Sequence, residues 1–116
     1  MAAITFITRA SGVNSLTRSY AATDTLLLTN TSGNDSMHVC YAQLTGSMTI
    51  NVTATGLLMF DKVVFYFSTD ATQRIVTFGT GFVSSGTVTI PASEDAIVTG
   101  YFDGTNIRIS SREIGA

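Results

Sequence analysis

Apolar and polar positions alternate with a period of two along much of the chain. Met48, Ile50 and Val52 share one side, against Ser47, Thr49, Asn51 and Thr53 on the other. Val88 and Ile90 alternate with Thr87 and Thr89, and Ile107 and Ile109 with Asn106, Arg108 and Ser110. Such alternation is the signature of half-buried strands. Turn residues punctuate the runs: 30–35, Gly46, Gly56, Asp70, Gly79, Gly81, Gly86 and 91–95. Asp103-Gly104 is the sharpest hairpin signal, since both residues tolerate positive φ. The pattern predicts strands at Ile4–Thr8, Thr25–Thr29, Met37–Leu44, Met48–Thr53, Lys62–Ser68, Arg74–Phe78, Gly86–Ile90, Ala96–Phe102 and Asn106–Ser110. Eight to nine short strands separated by turns point to an all-β fold, an antiparallel β-sandwich of jelly-roll type. No repeat of 20–50 residues is evident in the sequence. The expected organisation is one domain: an N-terminal strand and an extended arm or loop over 1–23, then the sandwich over 24–116.

Two strands depart from strict alternation. In 63–67, Val63, Phe65 and Phe67 face one way and Val64 and Tyr66 the other; in 96–102, Val98 and Phe102 oppose Ile97 and Tyr101. A strand apolar on both faces needs cover on both. A loop over a small satellite cluster would provide it. So would a neighbouring subunit, which makes Val64, Tyr66, Ile97 and Tyr101 the candidate interface.

Composition narrows the classes. Hydrophobic residues make up 45% of the 116 positions, too many for a disordered chain. Charged residues are 12%, about half the usual share, and Thr and Ser fill the gap. A net charge of −2 argues against a nucleic-acid partner. No apolar run approaches the 18 residues of a spanning helix, and no basic segment precedes an apolar core near Met1. The expectation is a protein made in the cytoplasm, outside the general secretory route and with no membrane partner. One cysteine, Cys40, excludes an internal disulfide.

Candidate chemistry is sparse. His38 is the single histidine and shares a strand face with Cys40, a poor placement for a nucleophile and its base. The carboxylates fall mostly at turns, where Asp bonds its own backbone. Gly79-Thr80-Gly81 lacks the third glycine and the following helix of a dinucleotide site. No catalytic residue, metal site or cofactor is assigned, and the chain is not expected to be an enzyme.

The order of features is nonetheless familiar. Leu26–Gly33, Leu44–Ile50, Val63–Phe67 followed by Asp70, Arg74–Gly79, and Ala96–Phe102 closing on 103–108 resemble the small β-sandwich virion proteins of tailed bacteriophages, the capsid decoration (cement) and fibre-type modules. The resemblance rests on hydrophobic and turn positions and carries over no functional residue. It implies a sandwich that associates through one sheet, a trimer being favoured with a dimer as the alternative. A chain of this length resembles a decoration protein more than a fibre. The implied role is a structural virion protein on the capsid surface, made in the bacterial host's cytoplasm. It would bind the outer surface of the major capsid protein lattice and stabilise the head. The alternative is a head- or tail-fibre module that binds a host-surface glycan. An arm over the polar stretch 9–18 would make Arg9 and Arg18 contacts to a neighbouring subunit.

Overall fold

The computed structural model describes residues 13–29, 36–83 and 86–115. Among them nine strands form: β1 (Val13–Arg18), β2 (Thr23–Thr29), β3 (Ser36–Tyr41), β4 (Met48–Thr55), β5 (Lys62–Ser68), β6 (Arg74–Phe78), β7 (Gly86–Ile90), β8 (Asp95–Phe102) and β9 (Ile107–Gly115). No described residue is helical. The expected strand Ile4–Thr8 lies outside the described residues. The stretch 13–18, expected to be arm or loop, is strand β1. Its two apolar residues, Val13 and Leu16, stand three apart, so period two gave no signal there.

The strands divide into a five-stranded sheet, β1-β3-β5-β8-β9, and a four-stranded sheet, β2-β4-β6-β7. Expecting two antiparallel sheets requires correction. The pairs β1/β3, β3/β5, β2/β4 and β4/β6 are parallel, whereas β5/β8, β6/β7 and β8/β9 are antiparallel. Both sheets are therefore mixed, which is not the antiparallel pairing of a jelly roll. The reason is geometric. From β1 to β6 the chain changes sheet at every connection, and each change reverses its direction. Two changes restore it, so strands two apart in sequence lie side by side and run the same way. Parallel neighbours need a long crossover, and here a strand of the opposite sheet supplies it. Val13 pairs with Ser36 and Ser36 with Lys62, returns of 23 and 26 residues. This coil spacing repeats without repeating residues. The short polar connections carry the residues of hairpin turns but act as arches between layers.

The final part of the chain is built from hairpins, as the turn signals predict. Asp103 closes β8/β9: its Oδ1 accepts the amides of Thr105 and Asn106 at 2.9 and 2.7 Å, and Gly104 takes φ 102°. The loop after β6 needs Gly81. It sits at φ 94°, and a Cβ there would lie 2.3 Å from the Val52 carbonyl oxygen.

The dry faces of the two sheets meet in one core. Met48, Ile50, Val52, Val63, Phe65, Phe67, Val76, Phe78, Val98 and Ile107 are buried in it, on the sides their alternation predicts. At its centre Phe65 of β5 lies 5.7 Å from Phe78 of β6 and 6.0 Å from Phe82, ring centre to ring centre. Tilted rings at these separations gain beyond the area they bury. Phe65 is fully buried. Phe65→Ala is accordingly expected to cost about 3–5 kcal/mol, read as a lower urea midpoint with little change in slope.

Candidate interaction surface

Val64, Tyr66, Ile97 and Tyr101 all lie on the outer face of the five-stranded sheet, opposite the core residues of β5 and β8. Backbone register brings them together: Tyr66 pairs with Ile97, Val64 with Thr99, and Tyr101 with Lys62. On β3, His38 is level with Val64 and Cys40 with Tyr66. These residues form an apolar band with a polar border across the sheet centre.

One member does not need outside cover. Val64 is only 6% exposed within the single chain. It sits in the central strand of the sheet, level with His38 on one side and Thr99 on the other. Tyr66 and Ile97 are half-buried, and Tyr101 is exposed. The surplus apolar face inferred from the sequence is thus partly sheltered by its own neighbours.

His38 stands beside Tyr66, with ring centres 5.5 Å apart and the Tyr66 hydroxyl 3.4 Å from Nδ1. Burial, then the Lys62 charge, lower the pKa of His38, so the ring is neutral near pH 7 and its Nδ1 can accept from Tyr66. Cys40 is part-buried on the same face. Among the described residues no group of three His, Cys, Asp or Glu side chains could hold a metal ion.

The two arginines proposed as arm contacts fare differently. Arg9 lies outside the described residues. Arg18 ends strand β1 and is paired within the chain. Its Nε donates to Asp24 Oδ2 at 3.0 Å, and a terminal guanidinium nitrogen pairs with Oδ1. Tyr41 donates to Asp24 Oδ2 at 2.8 Å. Arg18 and Tyr41 are neighbours in one sheet, while Asp24 belongs to the other. The trio therefore clasps the two layers beside the connection from β1 to β2. Asp24 and Tyr41 are buried, so unpaired they would be costly. Hydrogen bonds from Arg18 hold the Asp24 carboxyl below its ordinary range against the opposing effect of burial. Burial and Asp24 push the Tyr41 hydroxyl well above its own. Asp24 shares its parity with Leu26 and Leu28, so the alternation already placed a carboxylate on the dry side. The remaining paired carboxylates are turn devices: Asp70 with Arg74 and Asp103 with Arg108, each at 2.8 Å.

Three strongly exposed apolar residues lie elsewhere, in the loop 56–61 between β4 and β5. Leu58, Met59 and Phe60 are 68%, 57% and 75% exposed. The loop is tied at both ends. Leu58 N donates to Asp61 Oδ2 at 2.8 Å, and Asp61 N to the Leu58 carbonyl at 3.0 Å. Phe60 N donates to the Phe102 carbonyl at 2.7 Å, and Phe102 N to that of Asp61 at 2.9 Å. Phe60 is held at φ 73°, a strained position for a bulky residue. Sequence reading passed over this loop, although its signal is visible. Four consecutive apolar residues, 57–60, lie between Gly56 and Asp61 without alternation.

A shallow cleft of about 280 Å³ opens at the other end of β5, between Tyr66, Phe67 and Ser68 on one side and Asp95 and Ile97 on the other. Comparison with protein-family models and with curated proteins gives no match.

Two measurements test this description. Asp24→Ala is expected to cost ~2 kcal/mol at neutral pH, since it strands a guanidinium and a buried hydroxyl, with the half-exposed Arg18 partly screened. A carboxyl with a lowered native pKa stabilises above its unfolded value of ~3.9. The gap between wild type and variant should thus persist above that pH in urea titrations. It should close as the pH falls through the lowered native value. By proton NMR, His38 is expected to titrate below ~6.5, and Lys62→Gln to move its midpoint upward.

Proposed function

We propose that this chain is a structural virion protein of a tailed bacteriophage, a capsid decoration protein that binds the outer surface of the major capsid lattice as a homo-oligomer and stabilises the head. One observation carries the reading: three consecutive large apolar side chains, Leu58, Met59 and Phe60, stand exposed on one loop held by hydrogen bonds. The loop runs into Lys62, which pairs with Tyr101 on the strand that also carries Ile97. Contiguous exposed apolar residues of this kind mark interaction sites. Low charge supports the reading, because few charged groups would lose water in a contact. Supporting it too is the two-layer scaffold, whose every described strand is braced by at least one neighbour. A clip on a shell must transmit force without deforming, and parallel coils closed by hairpins suit that task. The resemblance in hydrophobic and turn order supplies the identity of the shell.

Co-sedimentation with empty, expanded shells of the phage that encodes the chain tests the proposal. The expected result is saturable binding at a fixed ratio to capsid subunits, with a rise in shell melting temperature. Absence of the chain from purified virions, or failure to bind shells at micromolar concentration, would overturn it. Reproducible capture by immobilised bacterial glycans without shell binding would replace it with the fibre role.

A further inference from the structure

The outer face of the four-stranded sheet differs in kind from the candidate interaction surface. Of the outward positions of β2, β4, β6 and β7, all but Leu27, Asn51 and Ile75 are threonine. No charge and no aromatic ring stands among these positions. Register sets the side chains in ranks. Thr23, Thr49, Thr77 and Thr87 stand level across all four strands, and Thr29 stands level with Thr55. Asn51 is held in place as well, its Oδ1 accepting the Thr80 amide at 2.8 Å.

Strand propensity does not account for this. Both sheets are built of strands, yet the strands of the five-stranded sheet hold two threonines, Thr17 and Thr99, and five serines. The strands of the four-stranded sheet hold no serine. Either hydroxyl would serve solubility. Threonine adds a methyl group and a χ1 stiffened by branching at Cβ. The hydroxyls of this face therefore stand at restricted positions, ~4.8 Å apart across the strands and ~6.6 Å apart along them. Twist rotates each strand by about 20–25° against the next, so order is best kept within one pair of strands. That pair is β2/β4, matched without a break from Thr23/Thr49 to Thr29/Thr55.

Such a face restricts its occupant. A second sheet would need apolar side chains to interdigitate with. A charged ligand finds no counter-charge here, and a sugar finds no ring to stack on. One residue repeated along a sheet selects no discrete molecule. The complement of a neutral, stiff array of hydroxyls and methyls is a neutral surface that repeats its own hydrogen-bonding groups. Water oxygens on a prism face of ice repeat at spacings close to those of this strip. We propose that the threonine strip of β2 and β4 binds ice, its hydroxyls joining the lattice and its methyls filling the hollows between the oxygens. This goes beyond the capsid role and does not depend on it.

Ice-affinity partition of the full chain at micromolar concentration tests the proposal. The wild type is expected to be taken up into slowly grown ice and to keep small crystals from coarsening in frozen sucrose. Thr53→Lys places a charge at an exposed position within the strip and should lose most of that uptake. Thr25→Lys, on the neighbouring strand, is a second variant with the same expected effect. Thr53→Ser keeps the hydroxyl but loses the methyl and the stiffness, and should fall between wild type and Thr53→Lys. Thr17→Lys, exposed on β1 of the other sheet, should leave uptake unchanged, and matching melting temperatures show that the variants fold. Exclusion of the wild type from ice would overturn the proposal. So would uptake of folded Thr53→Lys and Thr25→Lys equal to that of the wild type. Retention on insoluble cellulose by a chain that ice excludes would overturn it too and give the face to a neutral polysaccharide. Ice uptake by a chain that ignores shells would sink the capsid role and leave the ice face standing. Shell binding without ice uptake would do the reverse.

Discussion

The closing of two sheets over a block of phenylalanine rings is the constraint on which the rest of this protein hangs. Phe65 and Phe67 from one layer meet Phe78 of the other and Phe82 of the loop after β6, with ring centres 5.0 to 6.5 Å apart. Burial of these rings fixes the spacing and rotation of the layers. It thereby fixes which side chains of β5 and β8 must face out. A one-residue slip of β5 would exchange Phe65 for Val64 and Tyr66, turning the aromatic side of the strand toward water. The identity of the outer face is a consequence of the core, because period two leaves no third direction.

Among the described residues the interior carries few polar groups, and the charged one lies beside the connection from β1 to β2. Arg18, Asp24 and Tyr41 satisfy one another across the layers, which lets a carboxylate occupy a dry position. Asp70 and Asp103 instead order turns, accepting backbone amides two or three residues on and pairing with Arg74 and Arg108. Three of the chain's few cations are thus committed within the chain, and this leaves the outer band and the loop tip largely apolar. Such a surface suits contact with other apolar surfaces better than steering of a charged ligand. His38 fits that character, since its pKa is lowered and its ring packs on Tyr66.

Rigidity and exposure meet at the loop 56–61. Exposed apolar side chains on a slack loop lose rotational freedom when they bind, whereas those on a tied loop have already lost part of it. Phe60 is held at positive φ with its side chain exposed, an arrangement unfavourable to the isolated chain.

The sequence by itself determined the all-β class, most strand positions, the inward residues of β4 to β8, the hairpin at Asp103-Gly104, and the common face of Val64, Tyr66, Ile97 and Tyr101. These are local consequences of a side-chain period of two and of turn chemistry at single residues. Tertiary structure alone decided the parallel coils, because a short polar connection looks the same whether it folds back in one sheet or arches to the other. It decided that Val64 is buried within the single chain, between partners 26 and 35 residues away. It also decided that Arg18 clasps Asp24 instead of reaching outward, and that loop and cleft lie on one strand's two ends. Each of these depends on which strands become neighbours, and strand partners are chosen by the whole core, which no local pattern encodes.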